Sequence, residues 1–154
     1  MNKTHLSIPI NQDQICNLLQ YIENNEEEDV RKTIFSRLGY ECFYCRSRTQ
    51  WIDQYKGNLQ DFMDSINNQH NSKYWEKLSL SDDERQIIVT GKEVDGCACS
   101  YSAGKNPPLS LCNYCCKSFQ QELFSYLLGR PVNVTITESF LLGNKRCSTI
   151  INIG

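Results

Sequence analysis

Apolar side chains in the first half of the chain recur at helical spacing. The first predicted helix covers residues 11–24 on four such positions: Ile15, Leu18, Leu19 and Ile22. A second helix follows the acidic run 26–29, which favours a helix start, and Gly39 is predicted to end it. A third, short helix is predicted from Leu59, Phe62, Met63 and Ile66.

From Gln86 onward the apolar period changes to two, which predicts strands. The run 87–89 ends at Thr90-Gly91, and residues 97–101 alternate as on a strand. Residues 132–137 and 147–153 predict two more strands, with turn chemistry at Gly143-Asn144. A long helix is predicted over residues 111–128, capped by Ser110 and stopped by Gly129 and Pro131.

The order of these elements predicts an α+β fold. N-terminal helices come first, followed by a mainly antiparallel sheet packed on one long helix. A chain of 154 residues suffices for one packed core, so we expect a single domain over 1–154. Its first part, 1–85, is mainly helical, and 86–154 combines the sheet, the long helix and most cysteines.

Charge and hydropathy exclude several classes of function. The chain has 16 basic and 18 acidic residues and a net charge of −2. It lacks the dense Lys/Arg patch of a nucleic-acid-binding protein, so no nucleic-acid partner is expected. No apolar run approaches the ~20 residues of a membrane-spanning helix. The first ten residues lack the pattern of a signal peptide. We therefore expect a cytoplasmic protein that does not enter a membrane.

Nine cysteines are the most informative feature of the composition. Their odd number excludes a closed disulfide set, and in the cytoplasm they are expected to stay reduced. Reduced cysteines in such number indicate metal ligation, redox chemistry or ordinary burial in the core.

Two cysteine patterns carry the candidate chemistry. Cys42-x-x-Cys45 fits half a zinc site, a redox dithiol or simple packing. The stronger pattern has two parts, a Cys-x-Cys pair and a Cys-x-x-Cys pair at the start of the long helix, and it predicts four zinc ligands: Cys97, Cys99, Cys112 and Cys115. Cys116 could replace Cys115. Packed reduced thiols and a redox dithiol remain open as alternatives.

The last third of the chain resembles known families. It reads Leu-Gly-Arg-Pro-Val-Asn-Val over 128–134 and Glu-Ser-Phe-Leu-Leu-Gly-Asn-Lys-Arg-Cys over 138–147. This pattern resembles a family of uncharacterised cysteine-rich bacterial proteins, over 39–153, and more distantly the 4-vinyl reductase domain, over 110–153. The second resemblance implies a dimeric α+β module with an apolar ligand pocket and, in some sensors, zinc. Of that metal site only Cys147 and Glu138 carry over, because Ser139 replaces a family cysteine and Asn144 a family aspartate.

These observations together predict a zinc-binding protein with a small-molecule binding or sensing role. The expected ligand is small and apolar, in a pocket between the sheet and the long helix, and a homodimer fits the resemblance. One alternative is a thiol-dependent oxidoreductase or hydrolase that uses Cys115 or Cys116, although the sequence shows no obvious histidine base near either. Another is a structural metal module for protein interaction.

Overall fold

The computed structural model describes residues 11–45, 48–70, 72–97, 99–103 and 106–154, and it shows the predicted α+β fold. The helices are α1 (Gln12–Asn25), α2 (Glu28–Tyr44), α3 (Arg48–Asp53), α4 (Leu59–Asn67) and α5 (Lys117–Leu128). The strands are β1 (Trp75–Leu80), β2 (Gln86–Gly91), β3 (Asn133–Glu138) and β4 (Ser148–Asn152). A π-helix over Leu111–Cys116 runs directly into α5, and short 3-10 turns lie at Ser100–Ser102 and Phe140–Leu142.

The four strands form one antiparallel sheet in the order β1-β2-β4-β3. Val89 of β2 lies opposite Thr149 of β4, and Val134 of β3 lies opposite Ile151. Side chains alternate between the faces of a strand, so Val89, Val134 and Ile151 all point toward the core. The strands predicted over residues 87–89, 132–137 and 147–153 are confirmed within one or two residues at each end.

Helix α5 supplies the centre of the main hydrophobic core. Its Leu123, Phe124 and Leu127 are fully buried and belong to the same cluster as Ile87 and Ile151 of the sheet. Burial of each such side chain stabilises the fold by about 1.5–3 kcal/mol. The core therefore fixes the position of α5 and of the π-helix that precedes it.

The helices α1, α2 and α4 begin close to where the sequence predicts, whereas α3 is not predicted by the apolar pattern. Asn11 caps α1 with a reciprocal capping box to Gln14, and Asn58 caps α4. None of the helices in the described part of the chain combines the length and the apolar character needed to cross a membrane.

The predicted strand over residues 97–101 is wrong. The Ser102 hydroxyl donates to the Cys99 carbonyl at 2.6 Å and the Ser102 N–H donates to the same oxygen at 3.0 Å, which closes a 3-10 turn. Competition by serine for backbone partners favours turns over strands. Cys97 and Cys99 consequently lie in a loop.

Strand β1 is an element that the apolar period did not predict. It lies at the edge of the sheet, where the Asn67 side chain both donates to the Leu78 carbonyl and accepts from the Leu78 N–H, each at 2.8 Å. An edge strand needs such partners for the backbone groups that face away from the sheet. Strand β1 is therefore stabilised in part by an asparagine of α4, which a local pattern of apolar residues does not include.

Gly39 does not end α2, which continues to Tyr44. The glycine is buried in the middle of the helix, where the Cys115 carbonyl oxygen occupies the space that a Cβ would need. Nearby, the Ser118 hydroxyl donates to the Ser36 carbonyl at 2.7 Å. Gly39 therefore serves close packing of α2 against the π-helix rather than helix termination.

Gly39→Ala is expected to destabilise the protein by about 1–3 kcal/mol, because the new methyl group overlaps a backbone oxygen that cannot rotate away. The helix propensity of alanine, about 1 kcal/mol better than that of glycine, would by itself predict stabilisation. Urea unfolding measures the difference. Gly96→Ala is the matched control, since a Cβ at Gly96 meets only open space. Equal stability of Gly39→Ala and wild type would contradict the packing role.

Candidate functional site

Seven of the nine cysteines surround the π-helix. All nine cysteines are free thiols. The seven come from four parts of the chain: Cys42 on α2, Cys97 and Cys99 in the loop after β2, Cys112, Cys115 and Cys116 on the π-helix, and Cys147 before β4. Sulfur atoms that are far apart in sequence thus converge at the N-terminal end of the long helix.

The first set of these thiols, here named the Cys112 group, comprises Cys97, Cys112, Cys116 and Cys147. The Cys112 side chain is hydrogen-bonded to the side chains of both Cys97 and Cys147. Cys116 interacts electrostatically with the other three members of the group. Four thiols from three separate segments therefore interact with one another in this part of the fold.

The second set, here named the Cys115 group, comprises Cys42, Cys99 and Cys115. The Cys115 thiol donates a hydrogen bond to Cys42, which raises the pKa of Cys115. Cys99 interacts electrostatically with both of these residues. The hydrogen bonds thereby divide the predicted ligands, because Cys97 is bonded to Cys112 and Cys115 to Cys42, while Cys99 interacts electrostatically with members of both groups.

The π-helix accounts for this division. A helix with i→i+5 hydrogen bonds has a wider turn than an α-helix, so residues four apart share a face and residues three apart diverge. The hydrogen bonds of Cys112 accordingly go to Cys97 and Cys147, and that of Cys115 goes to Cys42. Segments of this kind are frequent at functional sites.

A second glycine brings Cys147 into place. Gly91, at the end of β2, leaves the space in which the Cys147 carbonyl lies. The Gly91 N–H donates to the Ser148 hydroxyl at 3.2 Å, which ties the start of β4 to this point. Any side chain at position 91 would push Cys147 away from Cys112.

Polar groups donate to the sulfur atoms of the Cys112 group. The Phe140 N–H donates to Cys147 Sγ at 3.3 Å, and Gln120 Nε2 donates to Cys116 Sγ at 3.5 Å. The Gln120 amide is held in turn by Thr149, whose hydroxyl donates to Oε1 at 2.6 Å. Donors aimed at sulfur favour the thiolate, which is the form that reacts and binds metals.

Hydrogen bonding and burial set the thiol pKa values in opposite directions. The bond from Cys112 lowers the pKa of Cys97 to about 6 and that of Cys147 to about 7, whereas it raises the pKa of Cys112 itself. One S–H donates to one acceptor at a time, so Cys112 stabilises one neighbouring thiolate in each arrangement. Burial raises the pKa of Cys116 to about 12.

These directions argue against Cys115 or Cys116 as a nucleophile. Both have raised pKa values, and Cys115 is only 5% exposed. Reactive cysteines combine a low pKa with access to solvent. Cys97 meets both conditions better, because it is partly exposed and lines a surface cavity.

That cavity has a volume of about 540 Å³ and lies beside the loop after β2. Its wall includes Cys97, Cys99, Pro107, Phe140 and Leu141. The layer between the sheet and α5, where the sequence predicts the ligand pocket, is occupied by the buried side chains of the core. The cavity that adjoins the cysteines is thus displaced from the expected place.

The ligand set predicted from sequence stays a prediction. In the described ranges, no group of three or more His, Cys, Asp or Glu side chains is already arranged as a metal site. Spacing alone did not identify Cys147, although the resemblance to the 4-vinyl reductase domain pointed to it. Glu138, the other residue carried over, raises the pKa of Cys147 by its negative charge.

Comparison with known proteins identifies a fold neighbour. No protein-family model and no curated protein matches the chain. Among solved structures, the chain is similar to a trafficking protein particle complex subunit 3 from Naegleria fowleri covalently bound to palmitic acid. The two superpose with a TM-score of 0.54 over 93% of this chain and 92% of that chain, at 13% sequence identity. At that identity the likeness shows a shared α+β fold.

Cys112→Ala is expected to raise the pH at which Cys97 becomes reactive. The variant removes the S–H that stabilises the Cys97 thiolate, so the pKa of Cys97 should rise from about 6 toward the ~8.5 of a free cysteine. The proteins are labelled with iodoacetamide over a range of pH in the presence of a chelator. Mass spectrometry then gives the pH at which labelling of Cys97 is half-maximal. Cys45 is the control, because its thiol donates to Glu41 and its pKa is raised in both proteins. An unshifted Cys97 midpoint would contradict the assigned hydrogen bond.

Proposed function

We propose that the protein binds a thiophilic metal ion, zinc in the first instance, through the Cys112 group. The convergence of Cys97, Cys112 and Cys147 through hydrogen bonds at one sulfur atom carries this proposal. Cys116 completes the set, because it alone among the remaining thiols interacts with all three. Four thiolates are a common ligand set of zinc.

The separation of the sulfur atoms suits this role. With Zn–S bonds near 2.3 Å, a tetrahedral site separates its sulfur atoms by about 3.8 Å. The hydrogen bonds from Cys112 place Cys97 and Cys147 beside it, and side-chain rotations that bring the sulfur atoms to this separation would close the set. Binding of the ion would replace the shared proton of Cys112, and the affinity should therefore fall at low pH.

Second-sphere contacts support the same proposal. The Phe140 N–H and the Gln120 amide already donate to two of the four sulfur atoms. Outer partners of this kind orient metal ligands and tune their basicity. The biochemical role we infer for the site is the binding or sensing of a small ligand in the adjacent cavity, as the resemblance to the 4-vinyl reductase domain implies.

Metal content tests the proposal directly. Protein purified under reducing conditions should contain about one zinc ion per chain, and Cys97→Ser, Cys112→Ser, Cys116→Ser and Cys147→Ser should each lose most of it. Cys45→Ser and Cys99→Ser are the controls and should keep it, since both residues lie outside the Cys112 group. Mass spectrometry of the eluted metals gives the stoichiometry. A chelator should also lower the melting temperature of wild type.

Two results would contradict this assignment. The proposed function is wrong if wild-type protein still contains no bound metal after reconstitution with zinc. Loss of metal from Cys99→Ser but not from Cys116→Ser would return Cys99 to the ligand set predicted from sequence.

The cavity favours a second candidate, acylation of Cys97. The solved fold neighbour carries covalently bound palmitic acid. In this chain the partly exposed Cys97 shares a cavity with apolar Phe140 and Leu141, which could hold an alkyl chain. The Cys97 thiolate would attack the carbonyl of a thioester donor, with release of the donor thiolate.

This candidate predicts a mass increase of one palmitoyl group when the metal-free protein is incubated with palmitoyl-coenzyme A. Hydroxylamine should remove the group, because it cleaves thioesters. Cys97→Ser should abolish the modification and Cys45→Ser should not. Equal labelling of both variants would show non-specific acylation and sink the candidate.

A further inference from the structure

The Cys42–Cys115 pair lies outside the proposed metal site and joins two elements that are distant in sequence. Its two side chains are in hydrogen-bonding contact, with Cys115 as the donor. Cys42 lies on α2 and Cys115 on the π-helix. Contact between two thiols is the starting geometry for a covalent bond between them.

The backbones of these two elements are in close contact one helical turn from Cys42. Gly39 lies one helical turn before Cys42 and touches the Cys115 carbonyl, so a side chain at position 39 would force the two helices apart. The bond from Ser118 to the Ser36 carbonyl holds the same contact on its other side. Disulfides need Cα atoms about 4.4–6.8 Å apart, and close helix packing of this kind favours such a separation.

We propose that Cys42 and Cys115 form a reversible disulfide on exposure to peroxide, which ties α2 covalently to the π-helix. The proposal is independent of metal binding, because neither residue belongs to the Cys112 group.

Exposure sets the order of the chemistry. Cys42 is partly exposed, whereas Cys115 is 5% exposed. The Cys42 thiolate attacks one peroxide oxygen, which gives a sulfenic acid and one water after protonation. The Cys115 sulfur then attacks the sulfenic sulfur, the S–O bond breaks, and a second water leaves. Two thiols are oxidised and one peroxide is reduced to two waters.

The neighbouring exposed cysteine has a different partner. Cys45 lies one turn after Cys42, but its thiol donates to Glu41 Oε2 at 3.0 Å rather than to another sulfur. A nearby carboxylate disfavours the thiolate, and the pKa of Cys45 is raised accordingly. Peroxide should therefore oxidise Cys42 before Cys45, and Cys45→Ser provides a matched control.

Peroxide treatment of the full chain tests the proposal. After a brief exposure to hydrogen peroxide and alkylation of the remaining thiols, peptide mapping should join Cys42 to Cys115 both in wild type and in Cys97→Ser, which lacks the low-pKa thiol. Dithiothreitol should restore both thiols. Cys42→Ser should abolish the cross-link and Cys45→Ser should retain it. Cys42 is partly exposed, so its substitution by serine should disturb the packing little. Cys115 is buried, and Cys115→Ser would place a hydroxyl in the core.

A stability measurement adds a second readout. The cross-link should raise the melting temperature of oxidised wild type, because it restrains the unfolded chain. Oxidised Cys42→Ser should show no rise. The proposal fails if peroxide leaves all thiols alkylatable, if the bond joins Cys42 to Cys45 or Cys99, or if Cys42→Ser forms the same product.

Discussion

The continuous joining of the π-helix to α5 is the constraint on which the cysteine cluster depends. The buried side chains of α5 pack against the sheet, and the core therefore holds one end of this continuous helix. The other end carries Cys112, Cys115 and Cys116. Its cysteines cannot shift independently of the core, so the partner thiols must be brought to them by the remaining elements.

Two glycines complete this arrangement from opposite sides. Gly39 admits the backbone of Cys115, and Gly91 admits the backbone of Cys147. Both contacts place a cysteine carbonyl in the space that a side chain would take at any other residue. Because a close-packed backbone cannot shift freely, these two contacts fix the positions of Cys115 and Cys147 within the cluster.

The sequence predicts the fold more fully than the site. The β-branched run 87–89 and the alternation of Val132, Val134 and Ile136 predict strands, and Asn11 and Gly129 mark helix ends by local chemistry alone. β1 was missed because an asparagine on α4 satisfies part of its backbone. Gly39 was misinterpreted as a helix end because its reason, a carbonyl from residue 115, is visible only in three dimensions.

The same limit applies to the cysteines. Spacing indicates which thiols are close in sequence, but it could not show that Cys115 turns toward Cys42. The direction of the Cys115 side chain depends on residues 111–116 forming a π-helix rather than an α-helix. Local propensity carries little information on the difference between an α-turn and a π-turn, because both have nearly the same side-chain requirements.

A π-turn is equivalent to one extra residue in an α-helix, and this has a consequence for how the cluster can change. Each residue of an α-helix turns the chain by about 100°. Loss of a single residue between Leu111 and Cys116 would restore a regular helix without disturbing the packing of Leu123 or Leu127. The cysteines before the lost residue would then rotate away from their partners. The extra residue thus makes the direction of the thiols around the helix axis independent of the direction of the apolar side chains of α5. A change in this segment could therefore reorient the thiols while the packing of the core stays the same.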